Sequence, residues 1–573
     1  MEKITRLKAL ELLTAREQDY ELMPVTSFGR EGRGFVNGPQ TLRDLYRQNQ
    51  SDETFLVFGE ERYSFRESYQ KSVRIASILS TQYGVKKGDR VAISMRNYPE
   101  WVMSFAAITS MGAIAVAMNA LWTSEEMQYG LADSGAKVLI ADQERVDRVV
   151  SILSTLDIAV IAVRPRNPLL KEISDLSDLL DLSEEPQSGN IEGSIEDQEA
   201  DLFQVDLDAF DKATILYTSG STGHPKGAVS THKNILTALM SWELDARASV
   251  MVAGGEPILP ISETSSQLGA LLAVPLFHAT GLHAVLLASY RHQRKVVLMY
   301  KWDSELATSI IEHEQITNFV APAAMTGDLI ETAKRESKTL SSLVTVGGGG
   351  APRAPAQVRN IAASFDKALP GTGWGMTETN AIGTSIGGQD YLDHAGSSGR
   401  CSAVLDIKIV DDEGTTMPAG ERGELLITGT SVIEGYWNRP EANLETFVDG
   451  WLKTGDVAYL DEEGYLYIVD RIKDLVIRGG ENIGCAEVEA GLLVHPAIIE
   501  ASVYAVPDDR LGEEVGATIY VREELAEGEL RFFLEQHLAK FKIPKYIQFS
   551  HKPLPRIASG KIDKRRIREK AVA

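Results

Sequence analysis

Short apolar runs alternate with amphipathic stretches along the first part of the chain. The runs at residues 91–94, 113–116, 137–140 and 158–163 are short and rich in β-branched residues, and segments with helical periodicity separate them. Strands that alternate with helices are typical of parallel sheets covered on both faces. The pattern therefore predicts an α/β fold, in which a large N-terminal domain holds parallel-rich sheets and helices.

The pattern changes twice in the C-terminal third of the chain. Short strands and turns predict a β-rich subdomain, and a small α+β unit follows Asp470. The strands are expected at residues 404–410, 422–429, 465–469, 475–478, 501–506 and 515–521, and the helices of the last unit at residues 486–494 and 530–539. We predict two domains, residues 1–470 and a small, mobile domain of residues 471–573.

The composition narrows the class of protein. The 573 residues are too many for one core, and a net charge of −23 disfavours nucleic acid and anionic membranes as partners. Only two cysteines, Cys401 and Cys485, are present, which fits a reducing compartment. The N-terminus lacks the apolar region of a secretory signal, and the apolar stretches at residues 103–122 and 268–290 fit buried elements better than membrane spans. We expect a cytoplasmic protein without an integral membrane segment.

Residues 218–227, Thr-Ser-Gly-Ser-Thr-Gly-His-Pro-Lys-Gly, form the most informative segment. They lie between an apolar, strand-like run and an amphipathic segment that begins near Thr231. Glycines let backbone N–H groups converge on an anion, hydroxyls add donors, and a lysine adds charge. The spacing fits neither a Walker A motif nor a dinucleotide-binding turn. The predicted polyphosphate-binding residues are Thr218, Ser219, Gly220, Ser221, Thr222, Gly223 and Lys226.

This loop resembles the phosphate loop of the adenylate-forming superfamily, to which acyl-CoA synthetases belong. Four further blocks follow in that family's order, at residues 371–379 (Gly-Thr-Gly-Trp-Gly-Met-Thr-Glu-Thr), 453–456, 470–483 and 555–564. The resemblance extends from about residue 42 to residue 564. It implies a two-domain enzyme that binds ATP, Mg²⁺ and coenzyme A.

The resemblance also assigns roles around the nucleotide. Trp374 would stack on adenine, Thr377 would bind the α-phosphate, and Asp456 would bind the ribose. Arg471 would reach both the ribose and the phosphate. Mg²⁺ prefers oxygen ligands and takes one or two carboxylates plus phosphates, so Glu378 with Thr222 is the implied metal site. The remaining implied nucleotide and pocket residues are Gly349, Gly350, Ala351, Pro352, Gly375 and Met376.

Three implied roles concern the small domain and the acid. Lys561 would enter the cleft during adenylation, and Lys473 would be the hinge. The loop with Gly479 and Gly480 would enter for thioester formation. His278 and Gly281 belong to a Pro-x-x-His-x-x-Gly block that borders the acyl pocket, and a general-base role for the histidine is the alternative.

These residues predict an ATP-dependent acyl-CoA ligase. The expected pocket walls, residues 274–281, 317–327 and 345–350, are apolar or small and carry no Lys or Arg, which favours a medium- or long-chain fatty acid. The alternatives are an aryl or arylalkanoic acid, transfer to a carrier protein, and a non-catalytic nucleotide-binding homologue. The partners are a small carboxylic acid, ATP and CoA, and a homodimer is compatible with the sequence.

Overall fold

The computed structural model describes residues 4–182, 205–218, 225–255, 267–349, 353–479, 481–557 and 560–572. The strands of these residues form sheets of two, eight, fourteen and five strands, with helices packed around them. The predicted α/β class is confirmed. In the described part of the chain, no helix is both long and apolar enough to cross a membrane.

The first segment, residues 4–182, alternates strands and helices as the sequence predicts. Three of its helices begin with capping boxes, in which the N-cap hydroxyl and the N3 carboxylate bond each other's backbone N–H groups. The elements are α1 (Arg6–Leu13), β1 (Leu22–Ser27), β2 (Arg30–Phe35), α2 (Leu42–Gln48), β3 (Thr54–Phe58), β4 (Glu61–Ser64), α3 (Phe65–Thr81), β5 (Arg90–Ser94), α4 (Pro99–Ser110), β6 (Ile114–Ala117), α5 (Ser124–Ser134), β7 (Val138–Asp142), α6 (Gln143–Val150), β8 (Ala159–Val163), β9 (Ile173–Asp175) and α7 (Leu176–Leu182).

The second segment, residues 205–401, continues the alternation. Its longest helix begins after the N-cap Thr231. The elements are β10 (Lys212–Thr218), β11 (Lys226–Thr231), α8 (His232–Val252), β12 (Gly269–Leu272), a π-helical stretch (Thr280–Leu287), α9 (Ala288–Arg291), β13 (Lys295–Leu298), α10 (Ser304–His313), β14 (Asn318–Val320), α11 (Ala323–Arg335), β15 (Thr345–Gly347), α12 (Pro355–Ser364), β16 (Leu369–Thr372), β17 (Thr384–Gly387), α13 (Gly388–Asp393) and β18 (Gly399–Cys401).

The last two segments are the predicted β-rich part and the small α+β unit. The sequence reading missed two short strands of the latter, β26 and β29, and placed the end of its second helix five residues too late. The elements are β19 (Leu405–Val410), β20 (Gly423–Gly429), β21 (Gly435–Tyr436), α14 (Pro440–Thr446), β22 (Phe447–Val448), β23 (Trp451–Leu460), β24 (Tyr465–Arg471), β25 (Val476–Arg478), β26 (Glu481–Ile483), α15 (Cys485–Leu492), β27 (Ile498–Asp508), β28 (Gly512–Val521), α16 (Glu527–Leu534), β29 (Tyr546–Ser550) and α17 (Lys564–Val572).

Two blocks of parallel strands place loops at matching sheet edges. The eight-stranded sheet has the order β21-β11-β10-β6-β5-β7-β8-β9, with β10 to β9 parallel. In the fourteen-stranded sheet, β16, β15, β14, β12, β13 and β3 are parallel neighbours. Ligands of such sheets bind beyond the carboxyl ends of the strands. Those ends lead directly into the segments that the sequence singled out.

The core joins the two large sheets. Its largest cluster contains Ile93 of β5 and Leu271 of β12, and α4 lies in the same cluster with all but one of its residues buried. A helix that is apolar on every side belongs inside a large domain. The prediction that the apolar stretch at residues 103–122 forms buried elements is therefore confirmed.

The β-rich part is not a separate sheet. β17 and β18 connect β16 to β24, so β24, β23, β20 and β19 extend the fourteen-stranded sheet. The pattern of short apolar runs predicted these strands. It did not predict that they continue the large sheet, because a local pattern does not show which distant strands pair.

The small α+β unit contacts the large one through α11. A Cβ atom placed on Gly560 would lie 3.1 Å from Met325 Sδ, and Arg522 pairs with Glu331 at 3.2 Å. Both partners lie on α11. These contacts bring the segment before α17 to the carboxyl ends of the parallel strands.

Candidate active site

The stem of the 218–227 loop is a β-hairpin. Thr218 ends β10 and pairs with Lys226, the first residue of β11, and Thr218 Oγ1 donates to Lys226 O at 3.3 Å. The amphipathic segment predicted from near Thr231 is α8, and the sequence did not predict β11, which lies before it. The predicted residues Ser219, Gly220, Ser221, Thr222 and Gly223 lie outside the described residues.

A hydrogen-bond network anchors this hairpin. Tyr129 Oη donates to Pro225 O at 3.0 Å, and Arg439 Nη2 donates to Tyr129 Oη at 2.7 Å. Arg439 also pairs with Asp133, which accepts from Tyr217 Oη at 2.7 Å. The sequence reading missed these residues, because the arginine is more than three hundred positions from its partners.

Glu378 lies in a short 3₁₀ turn, Thr377–Thr379, and its side chain points inward. It is 6% exposed, and Tyr436 Oη donates to its Oε1 at 2.6 Å. Lys226 Nζ lies 5.0 Å from the centre of the Tyr436 ring. Burial raises the pKa of Glu378, and the Tyr436 hydrogen bond and the charges of Arg471 and Lys226 oppose this shift. Tyr436 therefore links two predicted site residues, and sequence reasoning missed it.

The rest of this block is ordered around the turn. Met376 N donates to Thr379 Oγ1 at 3.1 Å, and Asn380 N donates to Thr377 O at 3.1 Å. Gly375 forms an isolated bridge with Gly383. The turn thus presents Thr377, which is half-buried, beside Glu378.

Asp456 connects the predicted adenine and ribose residues. It is 3% exposed, accepts from Trp374 Nε1 at 2.8 Å and pairs with Arg471 Nε at 2.7 Å. The arginine and the aspartate face each other on β24 and β23. Three residues that the sequence predicted from separate blocks therefore lie together.

Lys561 reaches the same place from the small unit. Burial and the neighbouring charge of Arg471 lower the pKa of Lys561 to about 8, and Asp456 opposes this shift. Its backbone is fixed by a turn in which Ile557 N donates to Lys561 O at 2.9 Å. The ammonium group is thus close to both predicted ribose residues.

His278 lies near Lys561, in the segment between β12 and the π-helical stretch. Burial and the Lys561 charge lower the pKa of His278 to about 4, so the imidazole is neutral at pH 7. A base of that pKa accepts protons weakly at neutral pH, which argues against the general-base alternative. Gly281 begins the π-helical stretch with Thr280. Asn97, which the sequence reading missed, fixes this segment through Val274 O and Leu276 N, both at 3.0 Å.

The glycines after β15 lie close to their neighbours. A Cβ atom on Gly349 would meet Thr280 Cγ2 at 3.5 Å, and one on Gly348 would lie 3.0 Å from Arg353 Cζ. Arg353 is 7% exposed, and its Nη2 donates to Thr326 Oγ1 at 3.0 Å. The expected pocket walls contain no basic residue. Arg353, however, packs against Gly348 in the wall formed by residues 345–350. Gly350, Ala351 and Pro352 lie outside the described residues.

The predicted hinge and the second loop lie at the start of the small unit. Lys473 is in the 3₁₀ turn Ile472–Asp474, directly after β24. Gly479 N donates to Leu511 O at 2.8 Å, within the small unit, and Gly480 lies outside the described residues. The domain boundary, the hinge and the role of this loop stay predictions.

The local charge of the site opposes that of the whole protein. Lys226, Arg471 and Lys561 are close enough to shift the pKa values of their neighbours, while the chain carries −23. A cationic pocket in which one buried carboxylate, Glu378, is not paired with Arg471 suits a polyanion that brings a divalent cation. Glu378 fits as a magnesium ligand, since its carboxylate is an oxygen ligand that Tyr436 links to Lys226 of the predicted phosphate-binding hairpin.

Comparison with known proteins gives matches over nearly the whole chain. The profile of the AMP-binding enzyme family matches residues 44–437, and that of the AMP-binding enzyme C-terminal domain matches residues 487–561. A feruloyl-CoA synthase from an Amycolatopsis species is 33% identical over 90% of this chain and 96% of its own length. A 2-succinylbenzoate–CoA ligase from Bacillus velezensis is 34% identical over 90% and 94%.

Solved structures of similar proteins include several ligases. An anthranilate CoA ligase in complex with anthranoyl-AMP has a TM-score of 0.80 at 26% identity and covers 93% of this chain and 97% of that one. The o-succinylbenzoate CoA synthetase of Bacillus subtilis, in complex with ATP and magnesium, has a TM-score of 0.73 at 30% identity, with 92% and 99% covered. A Mycobacterium tuberculosis fatty acyl CoA synthetase has a TM-score of 0.66 at 28% identity, with 93% and 98% covered.

Proposed function

Because the chain belongs to the family of AMP-binding enzymes, we propose that it is an ATP-dependent ligase that converts a carboxylic acid into its CoA thioester through an acyl-AMP. The observation that carries the proposal is the meeting of Trp374, Asp456, Arg471 and Lys561. The first three come from the large unit and the lysine from the small one. The proposal assigns ATP and CoA as substrates.

In the first half-reaction, a carboxylate oxygen of the acid attacks the α-phosphorus of ATP. The bond between the α-phosphorus and its bridging oxygen breaks, and pyrophosphate leaves with that oxygen. No protein nucleophile is needed, so the residues act by positioning and by charge stabilisation. Lys561 and Arg471 offset the negative charge that builds on the α-phosphate, and the hairpin with Lys226 holds the departing pyrophosphate.

Glu378 is the described residue that would hold a magnesium ion. Its carboxylate is buried and oriented by Tyr436, and the metal would neutralise charge on the phosphates. Thr222 is the other proposed ligand. With Glu378 fixed in advance, little reorganisation is required when the nucleotide binds.

In the second half-reaction, the sulfur of CoA attacks the acyl carbonyl carbon. The bond from that carbon to the phosphate oxygen breaks, AMP leaves, and the thiol proton is released to solvent. Lys561 has no task in this step. We propose that the small unit then rotates about Lys473 and brings the loop of Gly479 and Gly480 to the site.

We propose an aromatic acid as the substrate. Feruloyl, succinylbenzoate and anthranilate ligases among the similar proteins favour it over the fatty acid that the pocket composition suggested. Gly348 and Gly349, which follow β15, also carry no side chain, and consecutive glycines let a flat ring lie against the backbone. The fatty acyl CoA synthetase among the neighbours makes a fatty acid the second candidate.

ATP–pyrophosphate exchange tests the proposal. The acids to compare are acetate, hexanoate, palmitate, benzoate, cinnamate, ferulate and anthranilate. We expect the fastest exchange with one of the aromatic acids. Fastest exchange with palmitate would refute the aromatic assignment and keep the ligase, whereas no exchange with any acid would refute adenylation itself.

A further inference from the structure

The N-terminal hairpin lies before the part of the chain that matches the family profile, which begins at residue 44. β1 and β2 are joined by Phe28 and Gly29, which both have positive φ, 54° and 74°. Two such residues form the tight turn whose twist matches that of the strands. The turn therefore sets the position of Arg30, the first residue of β2.

Arg30 is buried and donates to a distant backbone carbonyl. It is 9% exposed, and its Nη2 donates to Ile433 O at 2.6 Å. Its guanidinium carbon lies 5.4 Å from the centre of the Phe28 ring and 5.1 Å from that of Phe447. Burial lowers the pKa of Arg30 to about 10, opposed by Glu434, so the group stays charged at pH 7. Burying a charge is costly, and this hydrogen bond partly offsets the cost.

The carbonyl belongs to residues 430–436, a segment that β2 contacts twice. Thr430 Oγ1 donates to Arg33 O at 2.6 Å, in addition to the Arg30 bond. Thr430, Val432 and Ile433 are at most 1% exposed. The hairpin thus covers this segment from one side.

On its other side, the 430–436 segment holds the residues around Glu378. Ile433 N donates to Glu378 O at 2.9 Å, and Asn380 Nδ2 donates to Ser431 O at 2.8 Å. Tyr436 Oη donates to the Glu378 carboxylate at 2.6 Å. One residue, Ile433, therefore accepts from Arg30 and donates to Glu378.

We infer that Arg30 is a positioning residue of the active site, which fixes Glu378 through the 430–436 segment. The catalytic part of this inference rests on the proposed function. It makes the N-terminal hairpin part of the adenylating machinery. Loss of the guanidinium would remove a hydrogen bond that holds Ile433 and, through Ile433, Glu378. We therefore expect the adenylation half-reaction to slow and the thioester half-reaction to stay unchanged.

The test uses three variants of the full chain. Arg30→Met removes the donor and the charge, and Arg30→Lys keeps a donor. Arg33→Met is the matched control, because Arg33 lies on the same strand and also donates to a backbone carbonyl, that of Leu405, at 2.8 Å. The control side chain makes that bond to Leu405, which is not part of the 430–436 segment.

Hydrogen exchange of the ligand-free protein is the first readout. We expect the amide of Ile433 to exchange about tenfold faster in Arg30→Met, since a hydrogen bond from a charged donor is worth about that factor or more. Arg33→Met should leave this exchange unchanged. Unchanged exchange in Arg30→Met would overturn the inference, whatever the enzyme's activity.

The second readout separates the half-reactions. Acyl-AMP formation should slow about tenfold in Arg30→Met and recover in Arg30→Lys, with thioester formation from preformed acyl-AMP unchanged. Wild-type acyl-AMP formation, or equal losses in both half-reactions, would overturn the inference. If the wild-type protein forms no acyl-AMP, the proposed function fails and the exchange of Ile433 decides the structural part.

Discussion

In the proposed mechanism, Lys561 is the residue on which adenylation depends most directly. It comes from the small unit, lies near Arg471 and Asp456, and influences His278 in the segment after β12. A flexible ammonium group can follow the charge of the α-phosphate through the reaction. An anion that binds here would favour the charged form of Lys561, which burial and Arg471 disfavour.

Replacing Lys561 with alanine should slow acyl-AMP formation by about 10²–10³, the cost of losing one preorganised charge contact. Thioester formation from preformed acyl-AMP should stay unchanged, because the lysine has no task there. Single-turnover assays of the two half-reactions measure both rates. The exposed Lys552→Ala is the control, and an equal loss in both half-reactions would contradict this role.

The pKa of Lys561 predicts a pH dependence. It is lowered to about 8, so the ammonium group is present below that pH and is lost as the pH rises through it. The value of kcat/KM for ATP in acyl-AMP formation should therefore decline above about pH 8. Lys561→Arg, which stays charged, should lose this decline. If Lys561→Arg shows the same decline, a group other than Lys561 causes it.

At the scale of elements, residues outside β10 and β11 stabilise the hairpin that these two strands form. Tyr129 of α5 bonds the Pro225 carbonyl, and Arg439, just before α14, bonds Tyr129. The strand β21 pairs with β11 and brings Tyr436 to Lys226. Several elements thus fix the place where pyrophosphate is expected to leave.

Tyr129→Phe should raise the KM for ATP several-fold, because it removes the bond to Pro225 O and the bond from Arg439, and each hydrogen bond contributes about 0.5–1.5 kcal/mol. The reaction of preformed acyl-AMP with CoA should not change, since it involves no pyrophosphate. Tyr83→Phe removes a similar hydroxyl, bonded to Ser174 at 2.9 Å, and serves as the control. If both variants raise the KM equally, the effect is one of general stability.

The sequence predicted the strands, the class of fold and the blocks that contain the candidate site. It did so because alternating apolar runs and glycine-rich motifs are local signals. Tyr436, Arg439 and Arg30 escaped it, since each acts through a partner at least 58 positions away. The composition of the pocket walls suggested a fatty acid, whereas the similar proteins favour the aromatic acid that was its alternative.

At the scale of the molecule, the proposed mechanism requires that the orientation of the two units determines which half-reaction the site can perform. Gly560 has φ +82° and lies against Met325 of α11, and the exposed pair Arg522–Glu331 adds little to stability. The backbone at Gly560 therefore matters more for docking than the surface ion pair. Lys561 follows it directly in the chain.

Gly560→Ala should weaken this docking by about 1–2 kcal/mol, because other residues are strained in the left-handed region. Acyl-AMP formation should slow at least about fivefold, while thioester formation from acyl-AMP is spared. Gly528→Ala is the control, since nothing lies within 4 Å of a Cβ atom there. Equal rates for both variants would show that Gly560 does not limit docking.

The most direct test of the whole account is pyrophosphate release from ATP with the preferred acid, with and without CoA. We predict that release continues over many turnovers only when CoA is present, and that an aromatic acyl-CoA accumulates in equal amount. Release that stops after a single turnover despite CoA would contradict the account and indicate a carrier-protein acceptor.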